Sequence, residues 1–164
     1  MEPQVLFAQI SWISLIIILI TRPLNDLFHH KLLVLILRYR KQLGVICGVS
    51  AFLHVTLFLM ATRGLADFFS NSLYWRFDNF FGWGSLALIL IFFPLITSNK
   101  YSQIHLKHYW KKVQQLSYPV FILVAIHIVL VKKELSVLIP VIIWFILWFS
   151  AFLKKKHQRK NVVK

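Results

Sequence analysis

Cysteine occurs once in the 164-residue chain, at Cys47, so no intramolecular disulfide can form and no Cys-x-x-Cys metal or redox motif exists. Acid is almost as scarce: five Asp and Glu stand against nineteen Lys and Arg, a formal net charge of +14. In a soluble chain that balance would point to nucleic acid. Here the cations are confined between long apolar runs, so membrane topology accounts for them and no nucleic-acid partner is expected. There is no GxGxxG and no P-loop, so nothing binds NAD(P)H in the usual way. No cleavable signal peptide is expected, because Glu2 stands in place of a basic n-region and no A-x-A site follows the first apolar run. Internal repeats, low-complexity stretches and linkers are also missing, which leaves a single domain over residues 1–164.

What is abundant is hydrophobic side chain, at 59%, with a mean hydropathy of +0.70. Five apolar runs stand out: Val5–Ile20, Leu43–Ala61, Phe80–Thr97, Leu116–Val131 and Leu135–Leu153. Each approaches the ~20 residues that a helix needs to cross hydrocarbon. Lipid offers no partners to backbone N–H and C=O groups, so a spanning segment must satisfy its own hydrogen bonds as a helix. The expectation is an all-α integral membrane protein, a five-helix bundle with helices over about 5–24, 43–62, 80–97, 114–131 and 135–153. A sixth run, Leu32–Leu37, is too short to span and predicts an interfacial or re-entrant piece.

Charge orients the bundle. The segments after the first, third and fifth helices hold 15 basic residues against one acid, Asp26. The opposite segments balance Arg63, Arg76, Lys132 and Lys133 against Glu2, Asp67, Asp78 and Glu134. Lys and Arg accumulate on the cytoplasmic side, so the N-terminus is expected outside and the C-terminus inside.

Seven histidines are present, and two of them, His54 and His127, fall inside apolar runs. An ionisable residue within a span is costly and marks a candidate functional site. His54 lies ten residues past Gly44 and His127 ten past Ser117, each about 15 Å along a helix running in the same direction. Two imidazoles at one depth on parallel helices meet the requirement for axial ligation of one heme iron. Around His54, Cys47, Ser50 and Ala51 share a face flanked by Gly44 and Gly48, which lets a planar group or a neighbouring helix approach closely. Around His127 the face is Val120, Leu123, Val124 and Leu130, suited to packing on a porphyrin. Packing alone is the competing reading for each histidine and for the small-residue stripe, and Cys47 reads as a small buried apolar side chain. A zinc site would be underfilled by two histidines without a buried carboxylate.

Two further segments are ambiguous. Asn99–Gln115 mixes four lysines with His105, His108, Tyr101, Tyr109 and Trp110; it could meet heme propionates, the phosphate of a flavin (FMN) or a donor protein, or simply anionic lipid. Arg22, beside Pro23, carries the same alternatives. The aromatics of Arg63–Asn79 read as an interfacial belt or a docking surface. His29 and His30 are adjacent and read as loop residues rather than a metal pair.

Four stretches carry a family likeness: Thr21-Arg22-Pro23-Leu24; Arg40-Lys41-Gln42-Leu43-Gly44 leading to Leu53-His54; Leu95-Ile96-Thr97-Ser98; and Trp110, followed by Tyr118 and Ile126-His127. In order and spacing the chain resembles the ferric-reductase-like transmembrane domain family, and within it the heme-binding membrane subunits of methionine sulfoxide reductase systems. The resemblance implies one b-type heme with axial ligands His54 and His127, with Arg22, Gly48 and Ala51 as candidate surroundings. It implies electron transfer from a cytoplasmic or quinol donor, or a flavoprotein, to an acceptor outside the bacterial inner membrane. The chain would then be the electron-transfer subunit of an oxidoreductase rather than a stand-alone enzyme. Members usually have six helices, one more than is read here. They commonly carry a further His in a Trp-x-x-Leu-His pattern where this chain has Gln114, which counts against a second heme. Two other classes compete: a non-redox assembly or anchoring protein, and a small transporter using the two histidines as a proton relay.

Overall fold

The computed structural model describes residues 2–62 and 64–162. Among them every regular element is helical. The order is α1 Pro3–Phe28, α2 Lys31–Arg38, α3 Arg40–Thr62, α4 Leu65–Ser70, a 3-10 turn at Ser72–Trp75, α5 Phe80–Ile96, α6 Lys100–Leu106, α7 His108–Gln114, α8 Ser117–Lys132, a 3-10 turn at Leu135–Leu138, and α9 Ile139–Val162.

Four stretches are each long and apolar enough to cross a membrane: α1, α3, the α7–α8 stretch and the last helix. The fifth, α5, has 17 residues and qualifies together with α6, from which it is bent by 92°. The chain is a multi-pass membrane protein. Its exposed apolar side chains, from Val5 and Ile13 to Phe149 and Phe152, form the lipid-facing surface that such a bundle must have.

Helix ends differ from the hydropathy reading where polar chain continues a helix. α1 runs on past Leu24 through Asn25–Phe28 and stops at His29, a left-handed residue whose N–H bonds Asn25 O. α9 continues through the basic tail to Val162, and its first four expected residues form the 3-10 turn instead. α8 begins at Ser117, after a turn at Gln115–Leu116 that follows α7. The short run Leu32–Leu37 forms α2, a separate helix with no buried residue, capped at its start by His30, whose ring accepts from Leu32 N.

α1 packs most extensively against α3, and α5 against α8; α1 also meets α9 and α8, and α3 meets α5. The four helices α1, α3, α5 and α8 therefore close a ring, with α9 flanking α1. α3 and α8, which carry the two histidines, are diagonal in that ring and make no extensive contact. The core of the ring is Leu15, Ile18 and Leu19 of α1, Cys47 of α3, Ile91 of α5, and Val120 and Phe121 of α8. The 15/18/19 spacing is the inward stripe of one helix face. Trp12 stacks on Phe121 with ring centroids 5.1 Å apart, and Trp144 of α9 meets Tyr118 and Phe121 from the other side. Ser11 Oγ and Cys47 Sγ, 3.6 Å apart, link α1 to α3.

At the basic end, α9 is tied to α1. Lys154 Nζ donates to the carbonyls of Asp26 and Leu27, which lie in the last turn of α1 and have no partner within the helix. Lys155 pairs with the Asp26 carboxylate at 2.6 Å, and Arg22 approaches the same oxygen at 3.5 Å.

Candidate functional site: two intramembrane histidines

His54 occupies the second half of α3 and His127 the second half of α8. Each stands seven residues, about 10 Å, beyond a core residue of its own helix, Cys47 and Val120 respectively. Both rings then lie on the same side of the core, toward the end where α1 and α5 begin. There each finds the same kind of partner. His54 Nδ1 is 2.8 Å from Gln4 O, in the first turn of α1. His127 Nδ1 is 2.7 Å from Phe80 O, at the first residue of α5.

A carbonyl oxygen can only accept, so Nδ1 is the protonated nitrogen of each ring. In the neutral imidazole that leaves the Nε2 lone pair unprotonated and able to ligate. This is the arrangement in which a histidine serves a metal: one nitrogen fixed by a main-chain acceptor, the other presented. His105 makes a similar bond, 2.9 Å to Tyr101 O, but within one turn of an exposed helix.

The helix facing His127 comes unusually close. A Cβ added at Gly84 would lie 2.8 Å from His127 Nδ1 and 2.9 Å from Cε1. Phe80 sets its ring edge-to-face on the imidazole, with centroids 5.9 Å apart.

The other sequence-predicted residues are spread more widely. Gly48 is buried against Leu95 of α5, whose Cδ1 would be 2.8 Å from an added Cβ, so the glycine admits a helix neighbour. Ala51 is half-buried, three residues before His54 on the same helix. Arg22 is eighteen residues along α1 from Gln4, about 27 Å from the level of the histidines, where it faces Asp26 with a half-exposed side chain. Gln114 caps α5: its Nε2 donates to Pro94 O and to Thr97 Oγ1, both at 3.1 Å. Trp110 Nε1 donates to Thr97 O at 2.9 Å. In the Asn99–Gln115 segment Tyr101 and His105 stack, and Lys112 Nζ lies 5.2 Å from the centre of the Tyr109 ring. Sequence reasoning missed Gln4, Phe80 and Gly84. The first two act through main-chain atoms; the signal for the third was a glycine one turn after the start of an apolar helix.

A cleft of about 320 Å³ opens between α3 and α5 under α4, lined by Phe52, Thr56, Leu59, Phe68 and Phe92 among others. It is apolar and holds neither histidine. Among the described residues no group of three or more His, Cys, Asp or Glu gathers to hold a metal ion.

Residues 2–125 match the model of the "Ferric reductase like transmembrane component" family. The chain belongs to that family. It is 32% identical over 120 residues to the protein-methionine-sulfoxide reductase heme-binding subunit MsrQ of Agrobacterium fabrum, a stretch covering 72% of this chain and 53% of that relative. The chain thus spans about half the length of that relative. No solved structure matches it. His54 falls within the family match, and His127 lies two residues beyond its end.

Proposed function

We propose that the chain is a heme b-binding electron-transfer subunit of the bacterial inner membrane, with His54 and His127 as the two axial ligands. The observation that carries this reading is the pair itself. Two imidazoles stand on diagonal helices on the same side of the core, each bonded through Nδ1 to a carbonyl of a neighbouring helix. The donor set fits a porphyrin-bound iron, which brings four nitrogens of its own and asks the protein for two neutral imidazoles. Family membership and the name of the curated relative, a heme-binding subunit, support it.

When bound, heme b supplies one-electron chemistry. The chain's residues hold and insulate it. Gln4 and Phe80 carbonyls fix the tautomer and orientation of the two rings. With both histidines as ligands the iron would have no open position for oxygen, which suits electron transfer over oxygen activation. The apolar bundle keeps water from the site. Electrons arrive from a separate donor, a membrane quinol or a cytoplasmic flavoprotein, and leave to an acceptor outside; the relative's name suggests the catalytic subunit of a methionine sulfoxide reductase. A single heme is proposed, because Gln114 is committed to capping α5.

The test is an absorption spectrum of the full chain purified from cells supplied with ample heme. A reduced b-type spectrum at one heme per chain is expected. A colourless protein that is folded and inserted would contradict the proposal.

A further inference from the structure

We propose that Gly84 is a positioning residue for His127: with the Phe80 carbonyl one turn before it, the bare backbone of α5 forms a cradle that sets the plane of the imidazole. The inference rests on the histidine pair proposed above. The two contacts come from one helix face, since residues four apart lie one above the other. Phe80 O anchors Nδ1 at 2.7 Å and so fixes where the ring points. That bond alone leaves the ring free to swing about the N–H···O axis. Gly84 removes that freedom, because the ring edge bearing Nδ1 and Cε1 lies on the space that a Cβ would fill, at 2.8 and 2.9 Å. The Phe80 ring, edge-to-face at 5.9 Å, closes the cradle on a third side.

The chain's other glycines do not do this. A Cβ at Gly44 meets nothing within 4 Å, and one at Gly48 meets the end of a flexible leucine. At Gly84 the neighbour is a ring held by a hydrogen bond. A methyl group there must either turn the imidazole off the Phe80 carbonyl or push α5 away from α8. Either movement re-aims Nε2. Outer-shell groups that orient a ligating imidazole tune the metal it holds, so Gly84 would act on the site through His127.

The experiment compares Gly84→Ala with Gly44→Ala in the full membrane-inserted chain. Nitrogen-15 NMR of the His127 ring in heme-free protein should show the Nδ1–H resonance shifted or lost in Gly84→Ala and native in Gly44→Ala. With heme supplied, Gly84→Ala should bind it about 10-fold more weakly, with altered low-spin ferric EPR g values. A double-mutant cycle guards against simple misfolding: the loss in Tm caused by Gly84→Ala should vanish in a His127→Ala background, where no ring meets the methyl. Unchanged His127 resonances together with an unchanged EPR spectrum would overturn the proposal. So would an equal loss of Tm in both backgrounds. A chain that is colourless in its native form would overturn the heme reading instead, while the resonances and the cycle would still decide the role of Gly84.

Discussion

Trp110 Nε1 lies 2.9 Å from the main-chain oxygen of Thr97, and this bond ties the start of one spanning segment to the end of another. α5 carries Pro94 near its C-terminus, and its last carbonyls have no partner within the helix. Gln114 reaches two acceptors at the same place, Pro94 O and Thr97 Oγ1. Together the two side chains cap α5 and hold the 92° bend into α6. Trp110→Phe keeps an aromatic ring but removes the indole donor; Gln114→Ala removes both of its bonds. Each should cost about 1 kcal/mol. Thermal unfolding in detergent should show a lowered Tm for both, with heme per chain unchanged.

Gly82 predicts a larger effect. An added Cβ there would run into Arg76 O, a backbone atom in the segment that seats Tyr74 against Phe81. Gly82→Ala must displace that segment from α5, an overpacking cost of about 1–3 kcal/mol. Gly44→Ala meets open space and should be neutral or stabilising by up to about 1 kcal/mol, because alanine is the better helix former. Equal Tm values for the two variants would contradict this packing.

The spans and the two histidines were legible because lipid imposes one strong rule: apolar runs become helices, and an ionisable residue inside one stands out. Helix ends were less legible. Hydropathy reports where lipid stops, not where the helix stops, so Asn25–Phe28 and the basic tail were not read as helix; the first is capped by Lys154 from α9. The partners of the histidines could not be read at all. Gln4 and Phe80 contribute carbonyl oxygens, which every residue possesses, and only the approach of α1 to α3 and of α5 to α8 selects them. The Trp110 and Gln114 side chains were visible as part of a family pattern, but their capping role depends on the bend after α5. Gly48 stood out for its place near His54, yet its neighbour is Leu95.

The distribution of Lys and Arg predicts the N-terminus outside and the C-terminus in the cytoplasm. The structure suits a labelling test, because the sole cysteine, Cys47, is buried and should give little background. A reporter cysteine at Lys164 should resist a membrane-impermeant maleimide in intact cells and react once the membrane is opened. Labelling of Lys164→Cys from outside would reverse the topology.

The central claim is that His54 and His127 together hold one heme. The most direct measurement is heme per chain in purified His54→Ala and His127→Ala, with His105→Ala and His108→Ala as controls. Loss of a ligand should exceed the 10- to 100-fold weakening typical of an outer-shell change. The account predicts that each of the first two variants inserts normally and loses most of its heme, while the two controls keep theirs. Full heme occupancy with an unchanged low-spin spectrum in His54→Ala or in His127→Ala would contradict it.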